Sequence, residues 1–529
     1  MHPTRLSTDE IETYVRDGHW TLETTLDLYA RFAVEIPNAI ACRDERHSYT
    51  WGQLDTATDQ LAANLIGLGI ERDARALVQM ASSCREMVLR IAFKKAGIIG
   101  AFGPLQWRRK ELDYVRERIK PELVVISRDA TDDDEISCLD NATTVNHRID
   151  LSDRSLNGWI DWTEVCDSTP GADVRDQLAS RAFAFDEVSL ITVSSGTSGL
   201  AKLCEWPEGA QSCMGRVLGE RLGIRADDRV GIFSPMSGAA GLLVWTISAA
   251  TPCTCVFPST YHAAALLDLV EAEDISVITT VPVILARLAA EDLSSRSFNA
   301  LRVLRVGTAA ADVDAARSFE DQTGCQVIIA SGSMECPGFG HAHVTEPKEV
   351  RLDGSVGLPL DGCRLRIEGG GVPPGTLGEL NVSAPFAASG YWDDPVATKA
   401  AWTDGWYATG DIGVLDENGR LTLQGRIKEV INRSGHKILP AEIEAEIAKH
   451  PNIFDCAVIG ALDKEYGEVP WAFVQLREKL PFEADEMIEA LKATGLAHYK
   501  IPARFIAVTE LPRVSGNKID KKNLLQLAT

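Results

Sequence analysis

The sequence predicts a layered α/β fold. A large N-terminal domain of sheets, helices and a β-rich subdomain spans 1–426, and a small α+β domain spans 427–529. Three observations predict it. Short β-branched apolar runs alternate with helical periodicity through most of the chain, the pattern of sheets covered by helices. At 529 residues the chain exceeds what one core organises, so at least two domains are expected. Between 350 and 425 glycine and proline become denser and apolar runs shorten, which marks the β-rich part.

Taken in order, Ser48-Tyr49-Thr50-Trp51-Gly52-Gln53-Leu54 reads as a strand end with a helix N-cap, and 57–68 as the amphipathic helix that follows. Residues 94–104 read as a helix running through its glycines into a strand, and 122–127 as a buried strand. Asp132-Asp133-Asp134-Glu135 reads as a solvated loop, because like charges repel and stay wet. The run 188–193 is strand-like, as are 230–233, 275–281, 301–306 and 327–330. Several of these end on small or polar residues, Ser234-Pro235, Gly307 and Ser331-Gly332, and open α/β sheets place their ligands there. Beyond Gly425 mixed α/β character returns.

Bulk properties narrow the function. Apolar residues make up 45%, enough for ample burial, while a net charge of −23 argues against nucleic acid or an anionic membrane as a general partner. Twelve cysteines include no Cys-x-x-Cys pair, which points to reduced thiols and away from zinc. No apolar run approaches the roughly 20 residues that span a bilayer. With a polar segment over 1–20 and no signal peptide, a cytoplasmic protein is expected, as monomer or homodimer.

The richest stretch is Thr192-Val193-Ser194-Ser195-Gly196-Thr197-Ser198-Gly199-Leu200-Ala201-Lys202. Glycines let backbone N–H groups converge on an oxyanion, hydroxyls add donors, and the lysine adds a mobile charge. That combination suits phosphate. It is not a Walker A loop, because Lys202 follows Gly196 by six positions and precedes Leu203; a Ser/Gly-rich surface turn is the alternative. Further on come Ser331-Gly332-Ser333-Met334-Glu335, then Ser389-Gly390-Tyr391-Trp392 with Asp394-Pro395, then Gly405-Trp406-Tyr407-Ala408-Thr409-Gly410-Asp411. Gly425-Arg426-Ile427-Lys428-Glu429, Ile431-Asn432-Arg433-Ser434-Gly435-His436-Lys437-Ile438 and Pro512-Arg513-Val514-Ser515-Gly516-Asn517-Lys518-Ile519-Asp520 complete the series.

In this order, from about residue 48 to 522, these stretches resemble the signature motifs of the adenylate-forming enzymes: acyl-CoA synthetases, stand-alone adenylation enzymes and luciferases. The resemblance implies ATP, Mg²⁺ and coenzyme A as cofactors. It assigns ATP binding to Ser194, Ser195, Gly196, Thr197, Ser198, Gly199, Lys202, Ser331, Gly332, Ser333, Met334, Asp411 and Arg426. Asp411 would accept the ribose hydroxyls. Glu335 would be catalytic as the Mg²⁺ ligand, Lys518 the catalytic lysine and Lys428 the hinge on which the C-terminal domain turns between two half-reactions. Arg433, Ser434, Gly435, His436 and Lys437 would meet coenzyme A.

Besides Ser198 for a threonine and Ala201 for a proline in the phosphate stretch, the chain departs from the family pattern at three places. Ser331 stands where an aromatic would stack on adenine, Met334 where a threonine would bond the phosphate, and Asn517 where a glycine turns. Ser237, Gly238, Gly241, Gly307 and Thr308 align with the acyl wall. Ala239 takes the place of an aspartate found in amino-acid-activating relatives, which disfavours an α-amino acid. The small residues leave room for a bulky aromatic, polycyclic or branched acid, although a tightly packed strand–helix turn has the same composition. The expected reaction is an acyl-CoA ligation that releases AMP. Loading of a carrier-protein phosphopantetheine, a catalytically impaired adenylate binder and a luciferase-like oxidation remain alternatives.

Overall fold

A parallel strand covered on both faces must be apolar on both sides, and the strand sequences here obey that rule. The computed structural model describes residues 5–127, 139, 145–151, 158–167, 174–194, 201–309, 311–368, 370–477, 482–513 and 519–528. The loop expected at 132–135 lies outside them. The chain divides into two units, one of 1–364 with 383–406 and the other of 365–382 with 407–529. The boundary expected at 427 falls inside the second unit.

The first unit holds two sheets. In one, Gln326–Ser331, Val303–Val306, Val277–Thr280, Arg229–Phe233, Thr254–Val256 and Ile40–Arg43 lie side by side in parallel. Gly340–His341 and Ser48–Thr50 close its edges antiparallel. In the other, Val188–Ser194, Ile99–Gly103, Arg75–Gln79, Leu123–Ile126, His147–Asp150 and Ile160–Asp161 run parallel. Lys202–Pro207 returns antiparallel beside Val188–Ser194, and Gly390–Tyr391 adds to its outer edge. The layered α/β architecture is the one predicted.

Helix boundaries follow local chemistry. Thr50 and Gln53 form a capping box that starts the helix Trp51–Gly67, as the sequence indicated. The helix Cys84–Ala96 does not run through its glycines. It stops at Gly97, whose φ of +73° makes a left-handed C-cap, and the strand begins at Ile99. Helices Glu208–Arg221 and Ala239–Ala250 approach so closely that a Cβ on Gly215 would lie 1.9 Å from the Thr246 carbonyl oxygen. Only glycine fits there.

The second unit contains the β-rich stretch: Gly378–Ser383 and Leu421–Arg426 both pair antiparallel with Trp406–Leu415. It also contains the C-terminal sheet, in which Gly467–Leu476 pairs with Ile453–Asp463, Ile431–Arg433 and Arg504–Val508. Ile431, Ile443, Ile447, Val458, Val474 and Leu491 form its core. The described cysteines form no disulfide with one another and nearly all are buried. No described helix is long and apolar enough to cross a membrane.

Candidate active site

Strand ends in the first unit carry the polar groups that the sequence singled out. Ser194 ends one strand and Lys202 begins the next, and the antiparallel register sets them opposite each other. Ser195, Gly196, Thr197, Ser198 and Gly199 lie outside the described residues. Lys202 Nζ donates to the Tyr391 hydroxyl at 3.1 Å and stands 4.5 Å from the centre of its ring. The same hydroxyl donates to Glu335 Oε1 at 3.0 Å. Tyr391 and Glu335 are both buried. The Glu335 carbonyl accepts from the Ala388 N–H at 2.8 Å, which ties the 335 loop to the approach of the Gly390–Tyr391 strand.

One tyrosine thus joins a cation and a carboxylate drawn from distant parts of the chain, and its hydroxyl hydrogen, committed to Glu335, fixes that side chain's orientation. Sequence reasoning quoted Tyr391 within a motif but gave it no role. No cluster of three or more His, Cys, Asp or Glu side chains able to hold a metal occurs among the described residues. A single hard carboxylate such as Glu335 nevertheless suits Mg²⁺, which would be held through a carboxylate oxygen.

The loop before Glu335 is tightly built. A Cβ on Gly332 would lie 2.4 Å from the Gly338 nitrogen. Ser333 closes a turn on Cys336, its N–H donating to the Cys336 carbonyl at 3.1 Å and its hydroxyl accepting from the Cys336 N–H at 3.2 Å. Ser331 and Met334 are half-buried.

The expected acyl wall divides into two kinds of glycine. A Cβ on Gly241 would lie 2.3 Å from the Pro235 carbonyl oxygen, so this glycine is required for the helix Ala239–Ala250 to approach the loop before it. A Cβ on Gly238 would meet only that same oxygen, at 3.4 Å, and Gly238 therefore borders open space. The loop between is clamped at Met236. Its N–H donates to Ser82 Oγ at 2.7 Å, and its carbonyl accepts from Arg90 Nη2 at 3.1 Å. Ser237 is half-buried beside this clamp. Gly307 follows strand Val303–Val306, and its missing Cβ would stand 2.9 Å from the Ala330 carbonyl oxygen. Thr308 has a φ of +83°, a strained conformation for a β-branched residue.

The second unit holds the remaining expected groups. Thr409 Oγ1 donates to the Leu380 carbonyl at 2.8 Å and accepts from the Asp411 N–H at 3.0 Å, with Gly410 at a φ of +71° between them. Asp411 pairs across the sheet with Arg426, and Arg426 Nε lies 2.8 Å from Asp411 Oδ1. A buried carboxylate held in this way has a fixed orientation. Lys428 sits, exposed, in the 3₁₀ turn Ile427–Glu429. Ser434 and Gly435, at φ of +50° and +86°, form the two-residue turn between Ile431–Arg433 and His436–Ile438. Arg433 Nη1 donates to the Tyr499 carbonyl at 2.8 Å, and His436 stacks on the Tyr499 ring at 4.5 Å. Lys437 is exposed. Lys518 lies outside the described residues. On either side of it, Arg513 and Ile519 pair as an isolated bridge, and Lys521 makes ion pairs of 2.8 Å with Glu429 and with Glu444.

Residues 29–392 match the family model of the AMP-binding enzymes, and 442–518 match that of their C-terminal domain. The chain belongs to this family. Among the AMP-binding enzymes it is 29% identical to an indoleacetate–CoA ligase of Aromatoleum aromaticum, over 93% of this chain and 95% of that one. It is 28% identical to triostin synthetase I of Streptomyces triostinicus, over 98% and 97% of the two chains. The crystal structure of the anthranilate CoA ligase AuaEII in complex with anthranoyl-AMP shares the fold, with a TM-score of 0.84 at 22% identity over 97% and 98% of the two chains. The adenylate-forming resemblance in the sequence therefore holds, and the protein is an AMP-forming ligase of the AMP-binding enzyme family.

Proposed function

We propose that the protein activates a bulky carboxylic acid lacking an α-amino group as its acyl-adenylate, using ATP, and passes the acyl group to the thiol of coenzyme A with release of AMP. The observation that carries this reading is the Lys202–Tyr391–Glu335 chain, with its tyrosine and glutamate buried, at the ends of the sheet strands, where an open α/β fold binds its ligands.

Two anions, the substrate carboxylate and the α-phosphate, must meet in the first step, so positive charge has to be fixed where negative charge develops. Lys202 and the 194–199 loop face the phosphates in this reading, and Lys518 approaches the reacting oxygens. Asp411, oriented by Arg426, holds the ribose. Glu335 would hold Mg²⁺, which would supply positive charge to the phosphates. Gly238 borders open space that leaves room for a large acyl group, and Ala239 stands where amino-acid-activating relatives carry an aspartate, which supports a non-amino acid. For the second step the thiol attacks the acyl carbonyl and AMP leaves. The exposed basic groups of the Ser434-Gly435 hairpin, His436 and Lys437, are few and local. That suits a small anionic thiol better than the broad acidic face of a carrier protein.

The test is acid-dependent exchange of labelled pyrophosphate into ATP across aromatic, branched and α-amino acids, followed by AMP release with coenzyme A or a phosphopantetheinylated carrier. Exchange with non-amino acids and turnover with coenzyme A are expected. Exchange confined to α-amino acids, or none with any acid, would contradict the proposal; turnover with the carrier alone would reassign the acceptor.

A further inference from the structure

Strand Val303–Val306 carries an arginine, Arg305, with no counter-ion among the described residues. Arg305 is 2% exposed, and its Nε donates to His341 Nε2 at 3.2 Å. Accepting on Nε2 places the neutral imidazole proton of His341 on Nδ1. Burial holds the His341 ring well below the usual histidine range, and Arg305 and Arg221 push it further in that direction. Arg305 Nη1 has no hydrogen-bond partner among the described residues. Burial lowers the Arg305 pKa to about 10, with no carboxylate opposing the shift. Arg90 and Arg351, which are comparably buried, are each paired with a glutamate, Glu86 and Glu320. An uncompensated buried cation is costly, and a bidentate partner removes the cost.

Strand register shows which way Arg305 faces. It pairs in parallel with Thr279, so both side chains leave the same face of the sheet. Thr279 Oγ1 reaches the Ala240 carbonyl at 3.4 Å, in the first turn of the helix that follows Gly238. Arg305 Nη2 also lies 3.3 Å from where a Cβ would stand on Gly307. The guanidinium therefore shares a sheet face with the small-residue wall and a strand end with Gly307 and Thr308. Two hydroxyls at the same strand ends, Thr308 Oγ1 and Ser234 Oγ, are buried without a hydrogen-bond partner among the described residues.

We infer that Arg305 is a specificity residue that binds a second carboxylate of the substrate, remote from the one activated, so that the acid taken is a dicarboxylic acid. His341 holds the guanidinium by Nε and leaves the Nη edge for the ligand, with the Thr308 and Ser234 hydroxyls as further donors. This rests on the acid-activating reading above.

The test pairs each dicarboxylate with a monocarboxylate of similar shape, terephthalate with para-toluate and adipate with hexanoate, in pyrophosphate exchange by the full-length protein. Wild type is expected to favour the dicarboxylate by at least about tenfold in kcat/KM, mainly through KM, as for a buried charge-assisted pair. In Arg305→Met the preference should vanish while exchange with the monocarboxylate persists, and Arg305→Lys should restore part of it. The ligand-free Arg305→Met protein should melt no lower than wild type, since a buried unpaired charge is gone. Equal use of both members of each pair by wild type, or a preference that survives in Arg305→Met, would overturn the assignment. Absence of exchange with every acid would instead overturn the activation reading. Calorimetry of terephthalate and adipate would then judge Arg305 by itself, with heats lost in Arg305→Met expected and equal heats overturning it.

Discussion

Tyr391 shows how a single hydroxyl can organise a site. Its oxygen accepts from Lys202 and its hydrogen goes to Glu335, so removing it releases both neighbours without changing the ring that packs around them. Tyr391→Phe is expected to lower kcat/KM for MgATP in pyrophosphate exchange by about tenfold, the worth of one or two hydrogen bonds to charged groups. The KM for the acid should change by less than about twofold, because Lys202 and Glu335, both bonded to this hydroxyl, are proposed to act on the nucleotide side. Equal effects on both substrates, measured by varying each in turn, would assign Tyr391 to packing alone. The partners could not be read in advance, because Tyr391 and Glu335 are 56 positions apart and a side-chain hydrogen bond leaves no periodic trace. Asp411 was legible for the opposite reason: its Thr-Gly turn is local, and the bonds that fix its backbone lie within two residues. Arg305 was invisible too, as one charged residue inside an apolar run.

At the scale of elements, the strands were legible because β-branched runs with small residues at their ends report parallel packing directly. The helix ending at Gly97 was not, since propensity alone does not separate a glycine inside a helix from one that caps it. Packing between elements was equally hidden. Lys94, on the helix Cys84–Ala96, makes a 2.6 Å ion pair with Glu208 at the start of Glu208–Arg221, and both are buried. Burial opposes ionisation of Glu208, but Lys94, Ser189 and Thr25 outweigh it and hold its carboxyl below the usual range. Lys94→Met leaves that carboxylate without its cation and should destabilise the fold by about 3–5 kcal/mol in urea denaturation. Adding Glu208→Gln, which keeps partners for Thr25 and Ser189, should recover much of the loss. Additive losses in this cycle would show that the two side chains do not act as a pair.

For the molecule as a whole, the order of motifs along the chain was enough to identify the family, because each motif is local and their succession is hard to produce otherwise. The division into units was less legible. Residues 365–382 are grouped with 407–529 through strand pairing between Gly378–Ser383 and Trp406–Leu415, and composition carries no record of such long-range pairing. The proposed function asks two chemistries of one protein, displacement of pyrophosphate by a carboxylate and then acyl transfer to a thiol, and different basic groups are proposed for each. The most direct test separates these steps in single turnovers of Lys518→Ala. Acyl-adenylate formation from acid and ATP should fall by about 10²–10³-fold, the scale of losing one charge aimed at the transition state, while thioester formation from a supplied acyl-adenylate should stay within about threefold of wild type. Equal losses in the two half-reactions, or none in the first, would contradict the account.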